Sequence, residues 1–487
     1  MISNGNFVNG TWKNGDGNDM VSYSPNNGEA IWRGHASSIK DVEYCVNFAQ
    51  AALPSWSALT AEERIEFIRK FVNLVKENSE KLSESISVEI GKPSWEAGTE
   101  VAAISGKFDP SVEAYSSRNA EITRNIGSGI SRTRFQPIGV VAVIGPYNFP
   151  LHMSNGHIIP ALISGNVVIL KPSEKGALTA ELLMQLWDQA GLPKGVINML
   201  QGGGESGEAL VSHKGVNGVL FTGSYTVGEH IRKMCSTEKM CVLEMGGNSP
   251  LVVWDTSDID AAVLATIQSA FITAGQRCSA ARRLIVPNNS FGKEFTQKLI
   301  DVAKNLKVGK FSDSPEPFFG PLRSKEMVEI TLNEQAHLVE LGAKILLEAH
   351  SMPCGSCFIS PGIIDVTDVR NKPDIEIIAP FIQLTRVNSF DEAITEANNT
   401  AYGLAAGVFT ENKELYDEFS KRIRAGIVNW NQQLTGAVGW APFGGVKKSG
   451  NYRPSGFLSA DYCVYAVASI EVDKLKLPAT LPKGIQF

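Results

Sequence analysis

The sequence lacks any apolar run approaching the roughly 18 to 20 residues that a membrane span requires. Its opening, MISNGNFVNG, has neither the basic nor the apolar region of a secretory signal. A cytoplasmic protein without membrane attachment is therefore expected. A basic excess is missing too: 45 Lys and Arg stand against 51 Asp and Glu, for a formal charge of -6. That balance argues against a nucleic-acid partner, and any anionic ligand has to be held by local cations. Cysteine is scarce and odd in number, with seven at positions 45, 235, 241, 278, 354, 357 and 463. This scatter suits reduced thiols rather than a disulfide framework. Cys354-Gly-Ser-Cys357 stands without a second pair or ligand-spaced histidines, so it reads as a loop with two incidental thiols, and no metal is expected. Internal repeats and low-complexity tracts are absent.

What is present is a globular composition, 43% hydrophobic and 20% charged, over 487 residues. That length exceeds one ordinary core and implies two or three packed units. From 139 to 247, short continuous apolar strands alternate with helices: GVVAVIGPYN (139–148), a helix in SNGHIIPALISG (154–165), NVVILKPSE (166–174), a helix near 176–190, VINMLQ (196–201), another helix, VNGVLFTGS (216–224), a helix near 226–236, and VLEMGG (242–247). The pattern predicts a mostly parallel sheet covered on both faces, a doubly wound α/β domain that binds ligands outside the carboxyl ends of its strands. A second α/β run follows, with LVVW (251–254), a helix around 258–275, ARRLIV (281–286), IEIIAPFIQLTRV (375–387), YGLAAGVF (402–409) and AGIVNW (425–430). The cleft between the two units is the natural site. The segment 119–138 alternates residue types about a Gly-Ser-Gly turn, as a protruding hairpin does, and is expected to meet another subunit or the chain's own end at 463–487.

Gly202, Gly204 and Gly207 satisfy GxGxxG, but a lone match is weak and no acidic residue follows at the required distance. Lys171 and Glu174, at a predicted strand end, either reach ribose hydroxyls or form a surface ion pair; a carboxylate there would repel a 2′-phosphate and favour NAD over NADP. Ser224 can donate to a pyrophosphate near the start of the next helix. Cys278, in AGQRCSAARRL, is either a small buried hydrophobe or a nucleophile. With Glu244 to activate water and the Asn148 amide to hold an oxyanion, it suits covalent oxidation of an aldehyde. Arg277 is positioned to depress the thiol pKa.

Seven blocks, PYNFP (146–150), KPSE (171–174), FTGS (221–224), EMGGNSP (244–250), GQRC (275–278), NNTAYGLAAGVFT (398–410) and PFGGVKKSG (442–450), together resemble the aldehyde dehydrogenase superfamily over nearly the whole chain. The resemblance implies Cys278 as nucleophile, Glu244 as general base and Asn148 as oxyanion donor. It implies NAD as cofactor, lined by Lys171, Glu174 and the turn Phe221, Thr222, Gly223, Ser224, Tyr225 and Thr226, with Glu376 on the nicotinamide ribose. It implies a doubly wound NAD-binding domain (1–118 and 139–247), an α/β catalytic domain (248–462) and a small β oligomerisation element (119–138 and 463–487), assembled as a homodimer or homotetramer. NGHIIPAL (155–162), QSAFITAGQRCSAARRL (268–284), AGIVNWNQQLTGA (425–437) and NYRPSGFLSADYC (451–463) narrow the resemblance to members that oxidise an acidic semialdehyde. Such a substrate carries several carboxylates, for which Arg277 and Arg453 are the candidate cations; either could instead be a structural arginine. Lys447 and Lys448 are expected at the surface. The chain departs from the family where an aromatic and a glycine commonly precede a proline: it has Ile378 and Ala379 before Pro380. Another acidic semialdehyde as substrate, or a non-catalytic protein on the same fold, are the alternatives, and retention of Cys278, Glu244 and Asn148 together speaks against the second.

Overall fold

The computed structural model describes residues 3–436 and 438–487; Met1 and Ile2 of the first unit and Ala437, the last residue of the 425–437 stretch, lie outside them. Each middle-third strand forms where the apolar runs predict, because VVAVI and VVILK are buried at every position and need cover on both faces. They join a seven-stranded sheet in the order Met240–Met245, Gly218–Gly223, Val140–Ile144, Val167–Lys171, Ile197–Met199, Asn6–Val8 and Thr11–Lys13. The first five run parallel, and the last two are an antiparallel hairpin closing one edge. Chain order reverses between Val140–Ile144 and Gly218–Gly223, which leaves a crevice at their carboxyl ends.

The first 118 residues contribute five helices to this half, from Ile39–Ser57 to Phe108–Arg118. Two begin on capping boxes, Ser38 with Asp41 and Thr60 with Glu63, where side chain and backbone satisfy each other's free N–H groups. They pack onto the sheet's own helices, and Phe71 stacks on Trp187 with ring centroids 3.5 Å apart.

The second sheet also has seven strands: Lys344–Leu347, Gly362–Asp365, Phe381–Val387, Ala281–Pro287, Ser249–Val253, Ala405–Phe409 and Ile427–Trp430. Two expectations change here. The strand predicted over 375–387 begins only at Phe381; residues 375–380 form a loop whose Ile377 carbonyl and Glu376 carboxylate are both taken by the buried Arg282. The helix predicted over 258–275 stops at Ala270, because Thr273, Ala274 and Gly275 all turn left-handed.

The 119–138 segment is the expected hairpin, Ile122–Asn125 with Ile130–Pro137, and it meets the chain's own end: Val464–Glu471 pairs along its whole length, from Val464 against Pro137 to Glu471 against Ile130. Just before that strand, the short helix Ser459–Tyr462 packs on the Phe108–Arg118 and His152–Ile163 helices, so the chain has crossed back to the first half before residue 462, the expected boundary. Among the described residues no helix is long and apolar enough to cross a membrane.

Phe71 and Trp187 are both fully buried. Phe71→Ala should destabilise the first half by about 3–5 kcal/mol through the cavity it leaves. A urea melt followed by tryptophan fluorescence measures this, and an unmoved midpoint would show that the stack carries no load.

Candidate active site

A cavity of about 330 Å³ lies in the crevice, bounded by Asn148, Lys171, Thr222 and Glu244 from strand ends of the first sheet and by Cys278 and Glu376 from the other half. A second, of about 80 Å³, is lined by Lys107, His152, Arg277 and Ser455, and Cys278 borders both. The sulfur thus sits between two spaces, one able to take a cofactor end and one a substrate. A larger depression, about 740 Å³, opens among the helices of residues 61–105, but no nucleophile, acid and base converge there.

The loop carrying Cys278 is held in an unusual backbone path. Thr273 and Ala274 adopt φ of 59° and 52°, a region that costs a non-glycine residue roughly 1–3 kcal/mol and persists only when the surroundings fix it. Gly275 follows at φ 70°, and a Cβ on it would lie 2.0 Å from the Ala379 carbonyl oxygen. The fixing comes from Arg277 and Glu96. The Arg277 Nε donates to Thr273 Oγ1 at 2.7 Å, its second nitrogen donates to Glu96 at 2.9 Å, and Thr273 itself donates to Glu96. One turn along the same Ser94–Ser105 helix, Glu100 accepts from the backbone N–H groups of Leu151 and His152 at 3.1 and 3.2 Å and pairs with the buried Lys92 at 2.7 Å. This seats the start of the His152–Ile163 helix and the PYNFP turn ahead of it. Asn148 Nδ2 then donates to the Gln276 carbonyl at 2.8 Å, leaving its other N–H beside the nucleophile loop.

Burial pushes the Cys278 thiol up to about 12, helped by the Glu376 and Glu244 carboxylates and opposed by Arg282 and the Ser279 N–H. This corrects the expectation for Arg277, whose guanidinium is engaged with Glu96; the cation that favours the thiolate is Arg282. At neutral pH the resting sulfur is a thiol. Glu244 is raised to about 7, first by burial, with Ser455, Lys107 and Thr222 favouring its charged form. Its Oε1 has no hydrogen-bond partner among the described residues, and Thr222 donates to Oε2 at 3.4 Å. A buried, half-ionised carboxylate with a free oxygen is what abstraction of a proton from water near neutrality requires.

Lys171 and Glu174 lie at the end of the Val167–Lys171 strand, 3.9 Å apart, with Lys171 buried rather than on the surface. The Phe221-Thr222-Gly223-Ser224 stretch ends the next strand but one, and a Cβ on Gly223 would sit 2.4 Å from the Phe221 ring. Ser224 caps the Tyr225–Met234 helix by accepting from Val227 N–H, which leaves its own O–H to donate. Glu376 is held by Arg282 at 3.3 Å, and a Cβ on Gly246 would lie 1.9 Å from its carboxylate, so the EMGG glycine is there for close approach. These groups fit a nicotinamide dinucleotide: a helix start for phosphates, carboxylates for ribose hydroxyls, and bare backbone in between. Ile378 borders the cavity where family members commonly place an aromatic.

Some expectations are not met. Tyr225 and Thr226 do not border the cavity: the Tyr225 hydroxyl donates to Glu229 and its ring lies under Lys448, while Thr226 is exposed. Arg453 is exposed, close enough to Cys241 to act on it electrostatically, and away from both cavities. Lys447 is not a free surface cation, because its Nζ donates to the carbonyls of Asn398 and Thr400. Gly202 precedes the Gly204–Ser212 helix, in which Gly207 lies beside Lys171, and none of the three glycines lines either cavity. Sequence reasoning missed Lys107, whose ammonium borders the smaller cavity with no ion-pair or hydrogen-bond partner among the described residues. It also missed His152, Glu96 and Glu100, none of which stands in a motif.

The chain matches the Aldehyde dehydrogenase family over residues 12–466. It is 46% identical to the N-succinylglutamate 5-semialdehyde dehydrogenase of Chromobacterium violaceum over 481 residues, covering 98% of this chain and 99% of that one. Among solved structures, the aldehyde dehydrogenase from Brucella melitensis biovar abortus 2308 superimposes with a TM-score of 0.92 at 31% identity, over 97% of this chain and 98% of that one. The betaine aldehyde dehydrogenase of Staphylococcus aureus in complex with NAD+ gives 0.92 at 29% identity, over 99% of this chain and 97% of that one.

A thiol raised to about 12 should alkylate slowly near neutrality, with a rate climbing about tenfold per pH unit well beyond pH 9. Iodoacetamide labelling of the Cys278 peptide, read by mass spectrometry across pH, tests this. A plateau reached by about pH 8 would show instead a thiolate already activated in the resting protein.

Proposed function

The chain belongs to the aldehyde dehydrogenase family, and on that premise we propose that it oxidises N-succinyl-L-glutamate 5-semialdehyde to N-succinyl-L-glutamate with NAD, a step of arginine breakdown by the arginine succinyltransferase route. The observation that carries the reaction type is the meeting of Cys278, Asn148 and Glu244 at one cavity. The relatives' shared name and near-complete coverage support the substrate. The Cys278 sulfur adds to the aldehyde carbon, and its proton leaves to a base. The oxygen of the resulting thiohemiacetal takes hydrogen bonds from the spare Asn148 N–H and the Cys278 backbone N–H. The nicotinamide cofactor, when bound, accepts the hydride that this carbon loses. Glu244 then removes a proton from water as the water oxygen attacks the thioester carbonyl, and the C–S bond breaks to release the acid and the Cys278 sulfur. Lys171, Glu174 and Ser224 bind the cofactor in this reading, and Glu376 orients its nicotinamide ribose; the Glu174 carboxylate favours NAD over the 2′-phosphorylated form.

The substrate carboxylates need cations, and Lys107 replaces Arg453 as the candidate. Its unpaired ammonium borders the same small cavity as the sulfur, whereas Arg277 is committed to Glu96. The residues 1–118 with 139–247 act as the cofactor-holding part and 248–458 as the catalytic part, Ser459–Tyr462 having returned to the first half. The sheet made by 119–138 and 463–487 carries exposed Ile122, Tyr465, Val467 and Ile470, which supports assembly into a homodimer or homotetramer through it. Seven unpaired cysteines support a reducing, cytoplasmic setting.

Three measurements test the reading. Glu244→Gln should release about one equivalent of NADH per site and then stop, with the acyl group retained on Cys278 by intact mass spectrometry; steady turnover would remove Glu244 from hydrolysis. In the unaltered protein, activity should rise with pH through about 7 as Glu244 loses its proton. Lys107→Met should raise KM for the succinylated semialdehyde by about tenfold or more while changing that for a short uncharged aldehyde little. Equal losses on both would assign Lys107 to structure.

A further inference from the structure

Two of the cysteines meet, and they do so outside both cavities. Cys235 ends the Tyr225–Met234 helix, where its N–H donates to the Ile231 carbonyl at 2.9 Å. Cys241 lies in the Met240–Met245 strand that follows, at one edge of the first sheet. Between them the chain reverses through Ser236-Thr237-Glu238-Lys239, a turn closed by the Lys239 N–H on the Ser236 carbonyl at 3.2 Å. The reversal brings the two side chains together, so that the Cys241 S–H donates to the Cys235 sulfur. Both thiols are half-buried, and the turn beside them, Ser236 to Glu238, is exposed, so a small solute has access to the pair. Neither cysteine lines a cavity, and no step of the reaction uses them.

Cations surround the pair. Lys239 acts on Cys235, with its Nζ held by the carbonyls of Val211 and His213 at 2.5 and 2.8 Å, and Arg232 and Arg453 act on Cys241. A sulfur that accepts a hydrogen bond and lies near an ammonium has its thiolate form stabilised twice. Cys235 is accordingly lowered, first by the Cys241 hydrogen bond and then by Lys239 working against burial, while the same bond raises Cys241. The pair therefore gives up one proton readily and keeps the other. The remaining five thiols, Cys45, Cys278, Cys354, Cys357 and Cys463, are all raised, in each case chiefly by burial.

We propose that Cys235 and Cys241 form a redox-active dithiol, a modification site that a hydroperoxide closes to a disulfide before it oxidises the nucleophile Cys278. The Cys235 sulfur attacks the outer peroxide oxygen; an S–O bond forms, the O–O bond breaks, and the departing oxygen takes the Cys235 proton to leave as water or an alcohol. The Cys241 sulfur then attacks the Cys235 sulfur; the S–S bond forms, the S–O bond breaks, and hydroxide leaves as water with the Cys241 proton. Two thiols lose two electrons and the peroxide gains them. An external thiol reductant reverses the closure by exchange. Disulfides in a reducing setting are usually transient, as this one is. Closure joins covalently the helix that Ser224 caps and the strand that carries Glu244, a strand also tied by Asn451 through the Leu243 N–H at 3.1 Å and the Cys241 carbonyl at 2.8 Å.

Peptide mapping of the full chain tests this without requiring turnover. Trypsin cuts after Lys233 and Lys239, so the two cysteines fall in separate peptides that only a disulfide holds together. Reduced protein, freed of reductant and treated with a slight excess of hydrogen peroxide at neutral pH, is quenched with N-ethylmaleimide and digested without reduction. The linked Cys235–Cys241 pair should appear and vanish on adding dithiothreitol, while the Cys278 peptide still carries maleimide. In Cys241→Ser the resolving thiol is gone, so Cys235 should persist as a sulfenic acid that dimedone traps. In Cys235→Ser no linked pair should form and Cys241 should stay reduced. Iodoacetamide at neutral pH should label Cys235 at least about tenfold faster than Cys278 in the unaltered protein. Absence of the linked pair, oxidation of Cys278 ahead of it, or labelling of Cys235 no faster than Cys278 overturns the proposal. If a serine variant fails to fold, the map and labelling rates of the unaltered protein decide alone.

Discussion

Two carboxylates one turn apart on the Ser94–Ser105 helix hold the reactive geometry together. Glu96 takes Arg277 and Thr273 and thereby fixes the left-handed path into Cys278; Glu100 takes two backbone N–H groups and Lys92 and thereby fixes the turn that presents Asn148. Residues four apart share a face of a helix, so a single rigid element sets the separation between nucleophile and oxyanion donor. Both carboxylates are buried, where an unpaired charge would be expensive, and each is consequently committed to its partners. Strain at Thr273 and Ala274 is sustainable because this helix over-determines the loop.

The parallel core and most of the reacting groups are legible in the sequence because both obey local rules. Strands buried on two faces write themselves as unbroken apolar runs, and Cys278, Glu244 and Asn148 each stand at the end of one or in a small-residue bed. The failures have a common physical origin, which is long-range pairing. Residues 375–380 are apolar enough for a strand, but Arg282 claims their carbonyl and carboxylate. Arg277 looks like a free cation in sequence and is paired with a residue 181 positions away. Lys107 has no local signature, since its value lies in what does not surround it. The helices of the first 118 residues did carry a readable signal in the capping boxes at Ser38 and Thr60.

Net charge says little about a site of this kind. The chain is acidic overall, yet the space around the sulfur is bordered by Lys107 and Arg277, with Arg282 behind it. Desolvation magnifies these few charges and also opposes them, raising the thiol and the base and lowering the lysine. The balance places Glu244 near neutrality and leaves Cys278 protonated, so the sulfur is restrained until a partner draws its proton.

The return of the chain to the first half through Ser459–Tyr462 has a bearing on biosynthesis. Synthesis proceeds from the amino terminus, so Cys278, Asn148 and Glu244 emerge long before the segment that completes the surroundings of the base. A nascent polypeptide on the ribosome holds every reacting group and still lacks Tyr462 and the closing strand. Maturation of the site therefore waits for residues 459–471, a stretch synthesised well after the groups whose chemistry it encloses.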